Sequence, residues 1–144
     1  MMGRICLSGD VLDMPAEKIS LIREGLDFYA QVRDIVAEGD IADIDCNIEY
    51  YRAPFGRQIY QKRLGDRLLV LIHALQDSSA VEVPLPGYRP LRAYTDCAWA
   101  FEGGVLRLAA AQETPVGFSF AEGLRPLSGQ DMIFRAGAFL FEKS

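Results

Sequence analysis

Residues Gly3–Asp40 read GRICLSGDVLDMPAEKISLIREGLDFYAQVRDIVAEGD: a short apolar run, a polar turn, then one long helix. Pro15 suits the first helical position, where its missing N–H would lack a partner in any case. Asp13, or less well Met14, is the expected N-cap, and Glu17 falls in the first turn, which favours an acid. Gly39 is expected to close the helix with a positive φ. Ile19, Ile22, Leu26 and Tyr29 share one apolar flank. Leu21, Phe28, Val32, Ile35 and Val36 widen that arc to roughly 200°, against about 100° for a helix buried on one side. Arg23, Glu24, Asp27, Gln31 and Asp34 fill only the remaining strip. Such a helix is expected to need cover on two sides.

The chain that carries this helix has 144 residues, enough for one domain with a real core. Half of it is hydrophobic, which excludes a disordered chain. A net charge of −5 argues against nucleic acid and anionic membrane as partners, since both ask for basic patches. No run approaches the ~18 apolar residues of a membrane span. Met1 to Asp10 lacks the charged-then-apolar pattern of a signal peptide. Cys6, Cys46 and Cys97 are odd in number and widely spaced, which suggests neither a disulfide framework nor a zinc site. They read as small core hydrophobes kept reduced, with the cytoplasm as the expected compartment.

After Asp40 the pattern changes to short strands. Ala42–Tyr51 alternates, with Ile44, Cys46, Ile48 and Tyr50 on one face. Arg57–Arg63, a Gly65-Asp66 turn and Arg67–Leu75 follow, the last being the most hydrophobic strand and the expected centre of the sheet. Further strands are expected at Ala80–Pro84, Leu91–Thr95, Cys97–Glu102, Val105–Ala110, Pro115–Ala121 and Ala136–Glu142. Gly103-Gly104 marks a two-residue hairpin. Together these predict about eight strands at a spacing of about 8–12 residues, an antiparallel sandwich or barrel. The uneven strands and leading helix argue against an up-and-down barrel enclosing a small ligand.

A strand ending in a small polar turn, followed by a long helix, is the form of one βα unit of a (β/α) barrel. CLSGD with its proline-led helix IREGLDFYAQVR, then IEYYRAPFGRQIYQ and LLVLIHAL, resembles the carboxyl end of the bacterial α-galactosidases of glycoside hydrolase family thirty-six. The resemblance is specific across about residues 3–75 and is one of pattern alone beyond them. It implies that residues 1–40 are the last strand-helix unit of a barrel and residues 41–144 a carboxy-terminal antiparallel β-sandwich. It implies retaining hydrolysis of terminal α-linked galactose, with no metal or organic cofactor. Such retention uses two carboxyl groups about 5–5.5 Å apart. Neither catalytic motif of the family occurs here, so the implied role is structural support of a catalytic barrel, and the chain alone is expected to be inactive. Its implied partners are that barrel and, through it, the α-galactoside. A helix so apolar, cut from its barrel, is also expected to self-associate as a homo-oligomer.

Candidate site residues are few. Ser8, Gly9 and Asp10 would lie at the carboxyl end of a barrel strand, the face on which such enzymes build their sites, and would line the sugar pocket there. Read from turn chemistry alone, the same three residues form a βα turn in which Asp10 caps local N–H groups. His73, the only histidine, falls on the most apolar strand with no acid in its segment, and reads as a core or edge histidine. A Gly-rich phosphate loop is absent: Gly103-Gly104 has no strand-to-helix setting. Tyr50, Tyr51, Tyr60, Tyr88, Tyr94 and Trp99 raise a second reading, a free-standing carbohydrate-binding sandwich. Against it, Tyr50 and Tyr51 must face opposite ways along a strand, and Trp99 alternates with Cys97 and Phe101 as a core residue would.

Overall fold

Alternation along the most hydrophobic segment decides the architecture. In the computed structural model, which describes residues 15–48, 55–75, 79–110 and 134–144, the segment is buried on both of its faces. The elements are α1 (Ala16–Glu38), β1 (Asp40–Cys46), β2 (Gly56–Leu64), β3 (Arg67–Leu75), β4 (Val81–Pro84), β5 (Tyr88–Tyr94), β6 (Trp99–Glu102), β7 (Val105–Leu108) and β8 (Phe134–Lys143). Five strands form one antiparallel sheet in the order β1-β2-β3-β8-β5, with β3 in the middle as its hydrophobicity predicts. Three form a second, β4-β7-β6. The protein is mainly β, an antiparallel sandwich preceded by one helix. The short apolar run before the helix, expected as a strand over Arg4–Ser8, and the strand expected at Pro115–Ala121 lie outside the described residues.

Successive side chains of a strand point to opposite faces. Leu68, Val70, Ile72 and Ala74 of β3 therefore enter one core with Phe139 and Phe141 of β8. Val81 and Val83 of β4 and Leu106 and Leu108 of β7 close it from the second sheet. Leu69 and Leu71 point the other way and join Ala138 and Leu140 beneath Phe28, Val32, Ile35 and Val36 of α1. The result is three layers: helix, five-stranded sheet, three-stranded sheet. Proline respects this plan. Pro84 and Pro90 both lie on edge strands, the latter at a register shift in β5, where a missing N–H costs least.

The helix itself corrects two expectations, the place of Pro15 and the backbone of Gly39. Pro15 sits just outside it, with φ −55° and ψ 145°, and its carbonyl accepts the first helical bond from the Ile19 N–H. The proline is thus one position earlier than expected; Asp13 lies outside the described residues. Gly39 has φ −68° and ψ 145°, an extended backbone open to any residue. Its glycine answers a close approach instead: a Cβ there would stand 2.5 Å from the Ile35 carbonyl oxygen and 3.0 Å from that of Arg63. Burial is also one-sided among the described residues. Phe28, Val32 and Ile35 are fully buried, whereas Leu21 is 53 % and Leu26 40 % exposed.

Polar contacts from the sheet hold the far end of α1. No basic residue occupies its last turn. Lys62 of β2 supplies the cation instead, its Nζ donating to the Val36 carbonyl at 2.6 Å, where the helix leaves carbonyls unpaired. Arg67 of β3 donates to the Gln31 carbonyl at 3.2 Å and also pairs with Asp34. Partial burial raises the pKa of Asp34, but the Arg67 hydrogen bond and charge, with the Ile35 N–H, outweigh it and hold the carboxyl below its ordinary value.

At the other rim, β1 departs from its expected burial. All seven residues are exposed, Ile41 by 59 % and Ile44 by 49 %, and none enters either core. Cys46 is exposed as well, not a core hydrophobe. Alternation alone places these residues on a common face; it does not reveal that the strand lies at the sheet edge, beyond the cover of either neighbouring layer. The Gly103-Gly104 hairpin forms as expected. Its φ angles of 59° and 77° belong to the left-handed region that a tight primed turn demands.

Candidate functional site

Where α1 begins, the helix stands over the end of the five-stranded sheet and leaves a cleft of about 450 Å³. Its floor is built from β3, β8 and β5, with Leu71, Ala138, Ala136 and Ala93 among the lining residues. Leu21 and Glu24 of α1 line it from the helix side. Small residues on β8 and β5 leave room that larger ones would fill. Gly25 lets the helix come down onto Tyr94: a Cβ at Gly25 would stand 2.9 Å from the Tyr94 hydroxyl oxygen. That hydroxyl donates to the Leu21 carbonyl at 2.9 Å, tying the helix to β5.

The polar groups converge from three elements. His73 comes from β3, Glu24 from α1, and Thr95 and Asp96 from the chain just after β5. Partial burial lowers the His73 pKa, so the ring is neutral at pH 7. Its Nδ1 lies 3.4 Å from Gln58 Oε1 on the neighbouring strand. Thr95 is committed on both counts: its hydroxyl donates to the Ala136 carbonyl at 2.7 Å and accepts from the Cys97 N–H at 3.1 Å. Burial, foremost, raises the Cys97 thiol above its ordinary value, which leaves it protonated and a poor nucleophile.

Two carboxylates, a neutral imidazole and a tyrosine edge can accept or exchange hydrogen bonds with a polar molecule. The two hydroxyls at the cleft, on Tyr94 and Thr95, donate to backbone carbonyls. Among the described residues no group of three His, Cys, Asp or Glu side chains has the geometry to hold a metal. No described helix is long and apolar enough to cross a membrane.

The structure therefore places the expected residues unevenly. Ser8, Gly9 and Asp10 lie outside the described residues, as do Cys6, Tyr50 and Tyr51. His73 is a half-buried strand residue, as its apolar segment suggested, but Glu24 and Asp96 reach its cleft from distant positions. Segment-by-segment inspection misses both acids. The available signal was Glu24 on the polar strip of the helix, one turn from Phe28.

The aromatic side chains do not assemble a platform among the described residues. Tyr60 packs in the helix-side core and Tyr88 in the sandwich core, while Tyr94 stands 6.1 Å, ring to ring, from Phe28. Trp99 is 39 % exposed, more than its alternation implied, but meets Phe139 edge-on at 5.4 Å. Galactose or raffinose at millimolar concentration is accordingly expected to leave tryptophan and tyrosine fluorescence and the melting temperature unchanged. A saturable shift abolished by Tyr51→Ala or Tyr88→Ala would establish a sugar site instead.

Comparison with protein-family models, curated proteins and solved structures gives no match.

Proposed function

We propose that this helix and sandwich form a non-catalytic support module of an α-galactosidase-like glycoside hydrolase. In that reading, residues 1–40 complete a catalytic (β/α) barrel and residues 41–144 brace it from outside. The observation that carries it is the unequal burial of α1. Phe28, Val32, Ile35 and Val36 are covered by the protein's own sheet, while Leu21 and Leu26 face water. Exposed apolar side chains on a helix already packed on one side are a surface suited to a second body. A barrel would supply that body, with Ser8, Gly9 and Asp10 at the sugar pocket and the two catalytic carboxyl groups on other strands.

The cleft chemistry agrees with a supporting role, since its hydroxyls are held by backbone carbonyls. The isolated chain is expected to show no turnover of a chromogenic α-galactoside above a buffer blank. Hydrolysis that persists through repurification and follows the chain on a sizing column would overturn the reading. The coding sequence contiguous with this chain is the second check: a barrel with two suitably placed aspartates supports the module, and its absence removes it.

A further inference from the structure

Strand β1 ends the five-stranded sheet, and no described strand pairs with its outer side. Its seven residues are all exposed, so the outward N–H and C=O groups of this edge form a row open to another strand. We propose that the free edge of β1 adds an extended segment of a different protein, one with Lys or Arg at alternate positions and apolar residues between them. This inference is independent of the hydrolase reading.

The backbone supplies the row, and the side chains choose the occupant. Residues opposite one another in an antiparallel pair share a face of the sheet. Asp45 stands opposite Ile59, a residue of the sandwich core, and Asp43 and Asp40 stand opposite Gln61 and Arg63 on that same face. Ile44 stands opposite Tyr60 and Ile41 opposite Lys62, on the helix side. A register shift at Ala42 keeps the three aspartates together despite their spacing. The strand therefore presents carboxylates on one face and exposed isoleucines on the other.

Its inner side already shows what such a strand accepts. Arg57 Nε lies 3.7 Å from Asp45 Oδ2, and Gln61 Nε2 donates to Asp43 Oδ2 at 3.2 Å. A segment added outside would bring its own side chains alongside the same aspartates, at the cross-strand distance of about 4.5–5.5 Å. Cations on one face and apolar groups on the other complement both rows.

A second copy of this chain fits poorly. Two β1 strands side by side would set aspartates against aspartates, and like charges directly opposite are destabilising. The other edge of the sheet, β5, carries Pro90 at a register shift, and its Arg89 is held by Glu142. Both features blunt an edge against pairing.

The probe is a short fluorescent peptide alternating lysine and valine, titrated into the full chain at low and at physiological salt. Saturable binding is expected, with the alternating glutamate–valine peptide inert. Asp43→Lys combined with Asp45→Lys should weaken it about tenfold or more. Both positions are exposed, and a melting curve checks that the variant folds. Methylating alternate backbone nitrogens of the peptide in one phase should abolish binding, and in the other phase spare it, because only one set of N–H groups faces β1. In the unmodified chain, amide exchange should slow within residues 40–46 when the peptide is added. Equal binding of both methylated peptides, undiminished binding to the variant, protection at β5 instead of β1, or no binding at all would each overturn the proposal. So would protection of β1 that grows with protein concentration alone, which would assign the edge to a second copy.

Discussion

Phe141→Ala is expected to lower the unfolding free energy by about 3–5 kcal/mol, the usual cost of deleting a fully buried aromatic ring. Phe141 has no exposed surface and sits in the core between the two sheets. Its ring centroid lies 5.2 Å from that of Phe101 on β6, so it joins the five-stranded sheet to the three-stranded one. Truncation removes that apolar area and leaves a hole that flanking strands, fixed by their ladders, close only in part. Domains of this size are stable by about 5–15 kcal/mol, so the loss is a large fraction of the whole. Urea unfolding measures it: the midpoint should fall while the slope holds. Phe101→Ala, at a half-buried position, should cost less. A change at Phe141 below about 1 kcal/mol would mean that the sheets do not share a packed core.

Arg135→Ala should cost a comparable amount by a different route. Arg135 is 5 % exposed, a charged side chain inside the fold. Its guanidinium donates to the Ala109 carbonyl at 2.5 Å and to the Ser79 carbonyl at 2.6 Å. Ser79 precedes β4 and Ala109 follows β7, so one side chain on β8 fastens the neighbouring ends of two paired strands of the opposite sheet. Hydrogen bonds to a charged group contribute about 1.5–3 kcal/mol each, and buried carbonyls left without donors add a penalty. A loss of about 3–5 kcal/mol follows. Arg135→Lys keeps the charge but not the planar fork, and should recover only part of it. Thermal melts of the two variants separate the contributions; a lysine variant as stable as the parent would show that charge alone suffices.

The central strand and several turn positions were legible because they depend on local chemistry. β3 reads as central from RLLVLIHAL, since only a strand covered on both faces tolerates such a run. Gly103-Gly104 and Gly65-Asp66 read as turns because glycine accepts φ values that other residues avoid. What escaped depends on distant partners. Periodicity marks an apolar arc on α1 but not which part of it meets the sheet, so Leu21 and Leu26 could not be told from Phe28 and Val32. Gly39 appeared to be a helix terminator because the close carbonyl of Arg63 comes from another strand. Arg135 gave no sign of burial, as its carbonyl partners lie 26 and 56 residues away. The cleft was hidden for the same reason: Glu24, His73 and Asp96 meet only through tertiary structure.

That β3 contributes to two cores at once has a consequence for how the molecule opens. Leu69 and Leu71 hold the helix layer, while Leu68, Val70 and Ile72, the residues between and beside them, hold the second sheet. Fluctuations that lift α1 bare one face of the strand on which the other layer depends, and the reverse is equally true. The layers are therefore thermodynamically coupled through a single backbone. Such a chain has little room for a populated half-open state in which one layer persists without the other, so its amides along β3 should exchange only through global unfolding, whereas those of exposed β1 escape by local fraying.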